Sequence, residues 1–360
     1  MLSTYSANIF GHLDRRIVKA AVDQLSKLAS NPRCFYNDKL ADFAEAVANF
    51  CGMDKVLVKN TGAEAVESAI LIARKWGHTV KGGVEENQAE IIVCIDNFHG
   101  RTMGPRSASS TIEYKKLFGP LASGFNWIPF ADPYALERAI TKNTVAFLVE
   151  PILGEGGIIV PYDGYLREVR GICDKHNILL IFDEVQTGFG RTGYDFAYQY
   201  ENVRPDLLIL AKALGGGIAA ISAVVGPEEL MNVIQPGDDG STFGGNPFAC
   251  ALAIETISIL KKDKLSENAM RMGNYFIPKL KAINSPLIKE VRGRGLMIGV
   301  ELVKEAGGAR RFCEELGKNG VLCYYTHENV LRLSPPLIIQ KREIDLAMER
   351  IEKVFFREAK

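Results

Sequence analysis

At 360 residues the chain is long enough for a large core, arranged as one big domain and a smaller one. Its 43 basic and 43 acidic residues cancel and no run of like charge stands out, so the balance calls for neither nucleic acid nor an anionic membrane. The seven cysteines are scattered without a Cys-x-x-Cys pair, no apolar run approaches a membrane span, and no basic-then-apolar leader opens the chain. The expectation is a soluble cytoplasmic protein with reduced thiols.

Apolar residues at Ile17, Ala21, Leu25 and Leu28 mark one face of a helix over residues 14–29, with Asp14 placed to cap it. A second helix is expected over 39–50. Residues 55–60 read as a short strand running into Thr61-Gly62-Ala63-Glu64 and a long helix to about Trp76. Strands are then expected at 90–96, 145–150, 178–183, 207–211 and 221–226, and helices at 133–140, 162–176 and 247–260. This alternation predicts an α/β architecture, a mostly parallel sheet with helices on both faces. Ligands of such sheets gather where strands end and loops begin. After about residue 262 the texture changes. A helix over 265–282 precedes a strand-turn-strand over 290–303 around Arg292-Gly-Arg-Gly295. A helix over 309–319, short strands at 321–325 and 330–333, and a terminal helix from about 342 follow. The expected division is a large domain over 1–262 and a small α+β domain over 263–360.

Two strand ends carry the chemistry. Asp206-Leu-Leu-Ile-Leu-Ala-Lys212 is an apolar run closing on a lysine, and Ile178-Leu-Leu-Ile-Phe-Asp183 is one closing on a carboxylate. Lysine is rarely buried without a partner or a purpose. An amine that can bind an aldehyde and a carboxylate that can hold a proton on a pyridine nitrogen are what a pyridoxal-phosphate enzyme needs. On these two residues alone a plainer reading stands beside it, in which Lys212 snorkels from a strand end and Asp183 caps a turn.

The other motifs fall at strand ends too. Gly62 and Ala63 open a helix after a strand, a junction whose free N–H groups suit a phosphate. In Asn97-Phe-His-Gly-Arg-Thr102, Phe98 is placed to lie against a cofactor ring and Arg101 to clamp a carboxylate. His99 in the same segment invites a general-base reading. The five histidines show no metal-ligand spacing, so no metal site is expected. Glu155 sits in a glycine-rich loop, and Thr242 in Gly240-Ser-Thr-Phe-Gly-Gly-Asn-Pro247 adds a hydroxyl. Arg332, lone in a short apolar strand, needs an anion, either a substrate or a protein carboxylate such as Glu155. Gly188-Phe-Gly190-Arg-Thr-Gly193 matches the dinucleotide-binding fingerprint, the rival reading of a nicotinamide oxidoreductase. It follows its strand at a distance, comes midway along the chain and lacks a good crossover helix after it.

These pieces in this order resemble the class III, fold type I, pyridoxal-phosphate-dependent aminotransferases. The likeness is carried by Tyr5-Ser-Ala, Thr61-Gly-Ala-Glu64, Asn97-Phe-His-Gly-Arg-Thr102, Glu150-Pro-Ile with Gly154-Glu155, Asp183-Glu-Val-Gln-Thr-Gly188, Asn202-Val-Arg-Pro-Asp206, Lys212-Ala-Leu, Gly240-Ser-Thr-Phe-Gly-Gly-Asn-Pro247 and Arg332-Leu-Ser-Pro-Pro336. The resemblance implies that Lys212 binds the cofactor aldehyde and shuttles the proton, and that Asp183 pairs with the pyridine nitrogen. It places Gln186 near the ring hydroxyl, Phe98 on the ring face, and Gly62 and Ala63 on the phosphate. Thr242 joins the phosphate from the partner subunit, which implies a homodimer. Arg101 and Arg332 hold substrate carboxylates, Glu155 masks Arg332 while a diamino acid is bound, and Tyr5 helps recognise ornithine. The implied reaction moves the δ-amino group of L-ornithine to 2-oxoglutarate, giving glutamate-5-semialdehyde and glutamate. The alternatives are another ω-amine donor (acetylornithine, lysine, putrescine or 4-aminobutyrate) and a catalytically impaired relative. The family carries a longer segment ahead of the Tyr5 motif, including a substrate-binding tyrosine. The chain is therefore expected to be shortened there, with a mitochondrial matrix address open if a preceding segment is missing.

Overall fold

The computed structural model describes residues 1–111 and 116–358. Among these, seven strands form one sheet: β1 (Lys55–Lys59), β2 (Glu90–Cys94), β3 (Phe125–Ile128), β4 (Thr144–Val149), β5 (Leu179–Asp183), β6 (Leu207–Leu210) and β7 (Ser222–Gly226). Their spatial order is β1-β7-β6-β5-β4-β2-β3. Every described pairing is parallel except those made by β7, which runs antiparallel to both β1 and β6. Four more strands, β8 (Ile288–Arg294), β9 (Met297–Leu302), β10 (Tyr324–Thr326) and β11 (Val330–Leu333), make a smaller antiparallel sheet in the order β10-β11-β9-β8.

The large sheet is buried on both faces, which is why its strands read as unbroken apolar runs. Alternate residues point to opposite sides. Ile92, Phe147, Val149, Leu180, Phe182 and Leu208 enter one apolar cluster, and Ile91, Val93, Leu148, Ile181, Leu207 and Ile209 enter the other. The helix Gly62–Trp76 covers the second cluster with Val66, Ala69, Ile70 and Ala73. Its start is fixed by a reciprocal cap in which Thr61 and Glu64 bond each other's backbone and side chain. The first helix, Arg15–Leu25, is capped by Asp14 as its sequence predicts.

Three differences from the expected elements have physical causes. The strand Phe125–Ile128 was not foreseen, because a four-residue edge strand that mixes Asn with Trp has too little periodicity to show. The short helix Met103–Ala108 carries Gly and Pro in its first turns, which hid it. The strand expected at 321–325 is instead Tyr324–Thr326, since the chain reaches the small sheet only after Cys323.

The two sheets are joined at a crossing where three backbones touch. Leu296 N–H donates to the Arg191 carbonyl at 3.0 Å. The Arg191 guanidinium, fully buried, donates to the carbonyls of Leu296 (3.0 Å) and Pro335 (2.6 Å) and to the Ser3 hydroxyl (3.0 Å). Gly188–Gly193 therefore packs against the turn between β8 and β9, and only a 3₁₀ turn, not an α-helix, lies between it and β6, which removes the structural context of the dinucleotide reading. At Gly295, φ is +55° and an added Cβ would lie 2.3 Å from the Thr192 carbonyl carbon. Both the left-handed backbone and the contact exclude a side chain. Gly295→Ala should destabilise the fold by at least about 2 kcal/mol, read as a lowered melting temperature. An unchanged melting temperature would show that the crossing yields freely.

Candidate active site

The carboxyl ends of the parallel strands converge on one cavity of about 420 Å³. β1 delivers Asn60, Thr61, Gly62 and Ala63; β2 delivers Phe98, His99 and Gly100; β4 delivers Glu150. β5 ends in Asp183 with Gln186 just beyond, and β6 leads through Ala211 to Lys212. Residues 217–221 close the wall. This is the strand-end location that the alternating pattern predicts.

Lys212 stands at the start of a 3₁₀ turn with φ +41°, a left-handed backbone held by its surroundings. The residue is half-buried, and its amine, in the cavity wall, takes no hydrogen-bond or ionic partner among the described residues. Burial foremost pulls its pKa below the usual lysine value. Arg332 adds to this, while Asp183, Glu150 and Glu155 oppose it. Asp183 is buried, accepting the Val185 N–H at 3.1 Å and pairing with His99 Nδ1 at 2.8 Å. Burial alone would lower the His99 pKa, but the hydrogen bond and charge of Asp183, with the charge of Glu150, outweigh it and raise it. Glu150 is also buried, and burial foremost pushes its carboxyl up to about 7. It accepts N–H groups from Phe98 (2.9 Å) and Gly154 (3.0 Å). Neither His99 as the partner of Asp183 nor Glu150 was assigned such a role from the sequence. Their signal was only that both flank strand ends, which many loop residues do.

At the helix start, the N–H groups of Gly62 and Ala63 find no acceptor among the described residues. A Cβ on Gly62 would sit 3.2 Å from Val185 Cγ1 and 3.4 Å from Ala211 Cβ, so the backbone there lies against the β5 and β6 ends. The Gln186 Nε2 is buried without a partner among the described residues.

Tyr5, Arg101, Glu155, Arg332 and Thr242 lie outside this cavity wall. Tyr5, Glu155 and Arg332 form a cluster of their own, and Arg101 meets the cavity residue Phe98. The Arg101 guanidinium lies 6.0 Å from the Phe98 ring centre, and Arg101 is otherwise exposed. Arg332, fully buried on β11, forms an ion pair with Glu155 and lies 5.1 Å from the Tyr5 ring centre. Its Nε and Nη2 have no acceptor among the described residues. The anion that the lone arginine required is thus a protein carboxylate. Thr326 Oγ1 donates to the Glu155 carbonyl, fixing that loop to the small sheet. Thr242 is exposed, on a loop anchored by Asn60 Nδ2 donating to the Ser241 hydroxyl at 2.7 Å.

Residues 1–355 match the sequence model of the class-III aminotransferases. The chain belongs to that family. The ornithine aminotransferase of Brevibacillus brevis is 51% identical over 354 residues, covering 98% of this chain and 88% of the relative. That of Bacillus subtilis is 51% identical, covering 98% and 87%. Among solved structures, the ornithine aminotransferase of Toxoplasma gondii superposes with a TM-score of 0.96 at 42% identity, covering 99% of this chain and 85% of that one. The acetylornithine aminotransferase of Elizabethkingia anophelis gives 0.88, also at 42% identity, covering 99% and 88%. The fold is that of the fold type I pyridoxal-phosphate enzymes, and the chain is a pyridoxal-phosphate-dependent transaminase acting on small amino and oxo acids. The site fits that cofactor: a half-buried amine without a partner among the described residues, two N–H groups without an acceptor at a helix start and a buried amide without a partner all line the same cavity.

One buried carboxyl beside the site bears on stability. Glu184 is fully buried, and burial foremost raises it to about 7, against the bonds from the Thr187 hydroxyl (2.5 Å) and the Tyr198 N–H (3.0 Å). A carboxyl whose folded pKa is raised contributes stability that is complete below its ordinary value of 4.5 and is lost as pH rises through about 7. Glu184→Gln has no proton to lose and can still accept from Tyr198. It should gain on the order of 1–3 kcal/mol over the wild type at alkaline pH and little under acid, read from melting temperatures across pH. Equal pH dependence in both proteins would refute this.

Proposed function

We propose that this aminotransferase moves the δ-amino group of L-ornithine to 2-oxoglutarate, giving glutamate-5-semialdehyde and glutamate. The observation that carries the donor reading is the Glu155–Arg332 ion pair, whose two charges both act on Lys212. A single pocket must take a cationic donor and a dianionic acceptor in turn. With Glu155 paired, Arg332 is neutralised and the pocket suits a diamino acid. With Glu155 turned away, the free guanidinium, which already lacks two acceptors, receives the second carboxylate of the oxo acid.

Bound pyridoxal phosphate supplies an aldehyde that takes up the amino group and a ring that accepts electron density from the carbon losing its proton. The remaining work falls to side chains. Lys212 would hold the cofactor at Nζ and, with its pKa lowered by burial, take and return the proton. Asp183, oriented by His99 and Val185 N–H, would keep the ring nitrogen protonated. Gln186 would meet the ring hydroxyl with its free Nε2, and Phe98 would cover the ring face. Gly62 and Ala63 would bind phosphate through N–H groups at the positive end of the helix. Arg101 and Tyr5 would orient the donor.

The active unit is a homodimer, with Thr242 of each protomer completing the other's phosphate site. Exposed apolar side chains beside the cavity support this. Leu25 is 54% exposed, Ile218 45% and Phe243, next to Thr242, 61%, a patch unusual for a lone surface.

Purified protein should show a visible absorbance band that ornithine bleaches. Comparing kcat/KM for ornithine, acetylornithine, lysine, putrescine and 4-aminobutyrate tests the donor, and a preference for any of the last four would overturn it. Glu155→Gln should lower kcat/KM for ornithine by roughly tenfold or more while sparing 2-oxoglutarate, because only the donor half-reaction needs Arg332 neutralised. Equal losses in both half-reactions would sink the switch.

A further inference from the structure

Glu150 is a carboxylate shared by two loops with different tasks. It follows β4, is 5% exposed and lines the cavity. Its Oε1 accepts the N–H of Phe98, on the loop after β2. Its Oε2 accepts the N–H of Gly154, the residue before Glu155. The chain at Gly154 has no room to drift toward Gln186, since a Cβ there would stand 1.9 Å from Gln186 Oε1 and 3.4 Å from Glu150 Oε2. The far side of the same loop is held by Thr326 on the Glu155 carbonyl. Both Glu150 oxygens accept, the bonds become charge-assisted once the carboxyl ionises, and two bonds in different directions fix both donors relative to one another.

On the functional reading given above, we infer that Glu150 is a positioning residue that couples the Phe98 loop to the Glu155 loop, so that cofactor seating and the choice between donor and acceptor are set together. Glutamine in its place keeps the volume but accepts at one end only. Its amide nitrogen would turn a donor toward the other N–H, so one of the two tethers breaks. Alanine breaks both.

The test uses the holoenzyme, its apo form and the variants Glu150→Gln and Glu150→Ala. Two quantities are measured: pyridoxal phosphate affinity, by titrating the apo form, and the ratio of kcat/KM for the ornithine and 2-oxoglutarate half-reactions in single turnovers. Coupling predicts that Glu150→Ala moves both quantities, each by roughly tenfold or more, since small misplacements of positioning groups have effects of that order. Glu150→Gln should move both in the same sense by less. In the Glu150→Gln/Glu155→Gln double variant the effects on the ratio should fail to add. A merely structural Glu150 would lower the melting temperature and leave both quantities at wild-type values, which overturns the inference. A change in one quantity alone overturns it too. If Glu150→Ala does not fold, Glu150→Gln and the double variant decide. Should the wild type prefer another donor, the ornithine assignment falls, and the same ratio measured with that donor still tests the coupling.

Discussion

Lys212→Ala should abolish transamination, with kcat/KM falling by at least about 10⁴-fold and the visible band of the bound cofactor shifting or disappearing. The reasoning starts from burial. A half-buried lysine amine in the cavity wall, with no partner among the described residues and a pKa that desolvation depresses, contributes little as a structural element. Lys212→Met therefore offers a control, because it keeps the stem and removes the amine. Its apo form should melt at the wild-type temperature or higher while being equally inactive. Loss of activity together with a lower melting temperature would mean that the amine supports the fold, and turnover that survives either substitution would end the proposed mechanism.

Asp183→Asn is expected to lower kcat on the order of 10²–10³-fold, the effect of removing one preorganised electrostatic partner from a buried site. The substitution preserves shape but not charge. Without that charge the pyridine nitrogen would lose the carboxylate that would favour its protonated form. A second readout is independent of turnover. The His99 pKa lies above its usual value because Asp183 and Glu150 outweigh burial, so in Asp183→Asn it should fall, as followed by the imidazole resonances across pH. An undiminished kcat would remove Asp183 from the chemistry. A kcat loss with His99 unmoved would break the link between the two residues. The His99 side chain is fully buried, with Nδ1 on Asp183 and Nε2 without a partner among the described residues, and we propose that it orients Asp183.

Much of this arrangement could be read before any coordinates. The apolar runs ending at Asp183 and Lys212 are strand-length and strongly hydrophobic, and a charged residue closing such a run has few reasons to be there. The Thr61–Glu64 cap is written in four consecutive residues. Such features depend on neighbours within a few positions, and local propensity and side-chain chemistry suffice for them. The need of Arg332 for an anion was equally plain, because burying a lone guanidinium in an apolar strand is unfavourable.

Which anion meets Arg332 was another matter. Glu155 lies 177 positions away and is brought there by the packing of a β4 loop onto the small sheet. The pairing of His99 with Asp183, the reversed direction of β7 and the backbone crossing at Gly295 and Thr192 likewise follow from strand order and loop closure. Hydrophobic periodicity carries no information on any of these, since a strand reads the same in either direction and a loop does not name its partner. The amino-acid sequence by itself determined most of the elements, the lysine and the carboxylate closing two apolar strands, and the kind of chemistry. The tertiary structure alone decided which distant charges meet, because only the finished sheet order sets those distances.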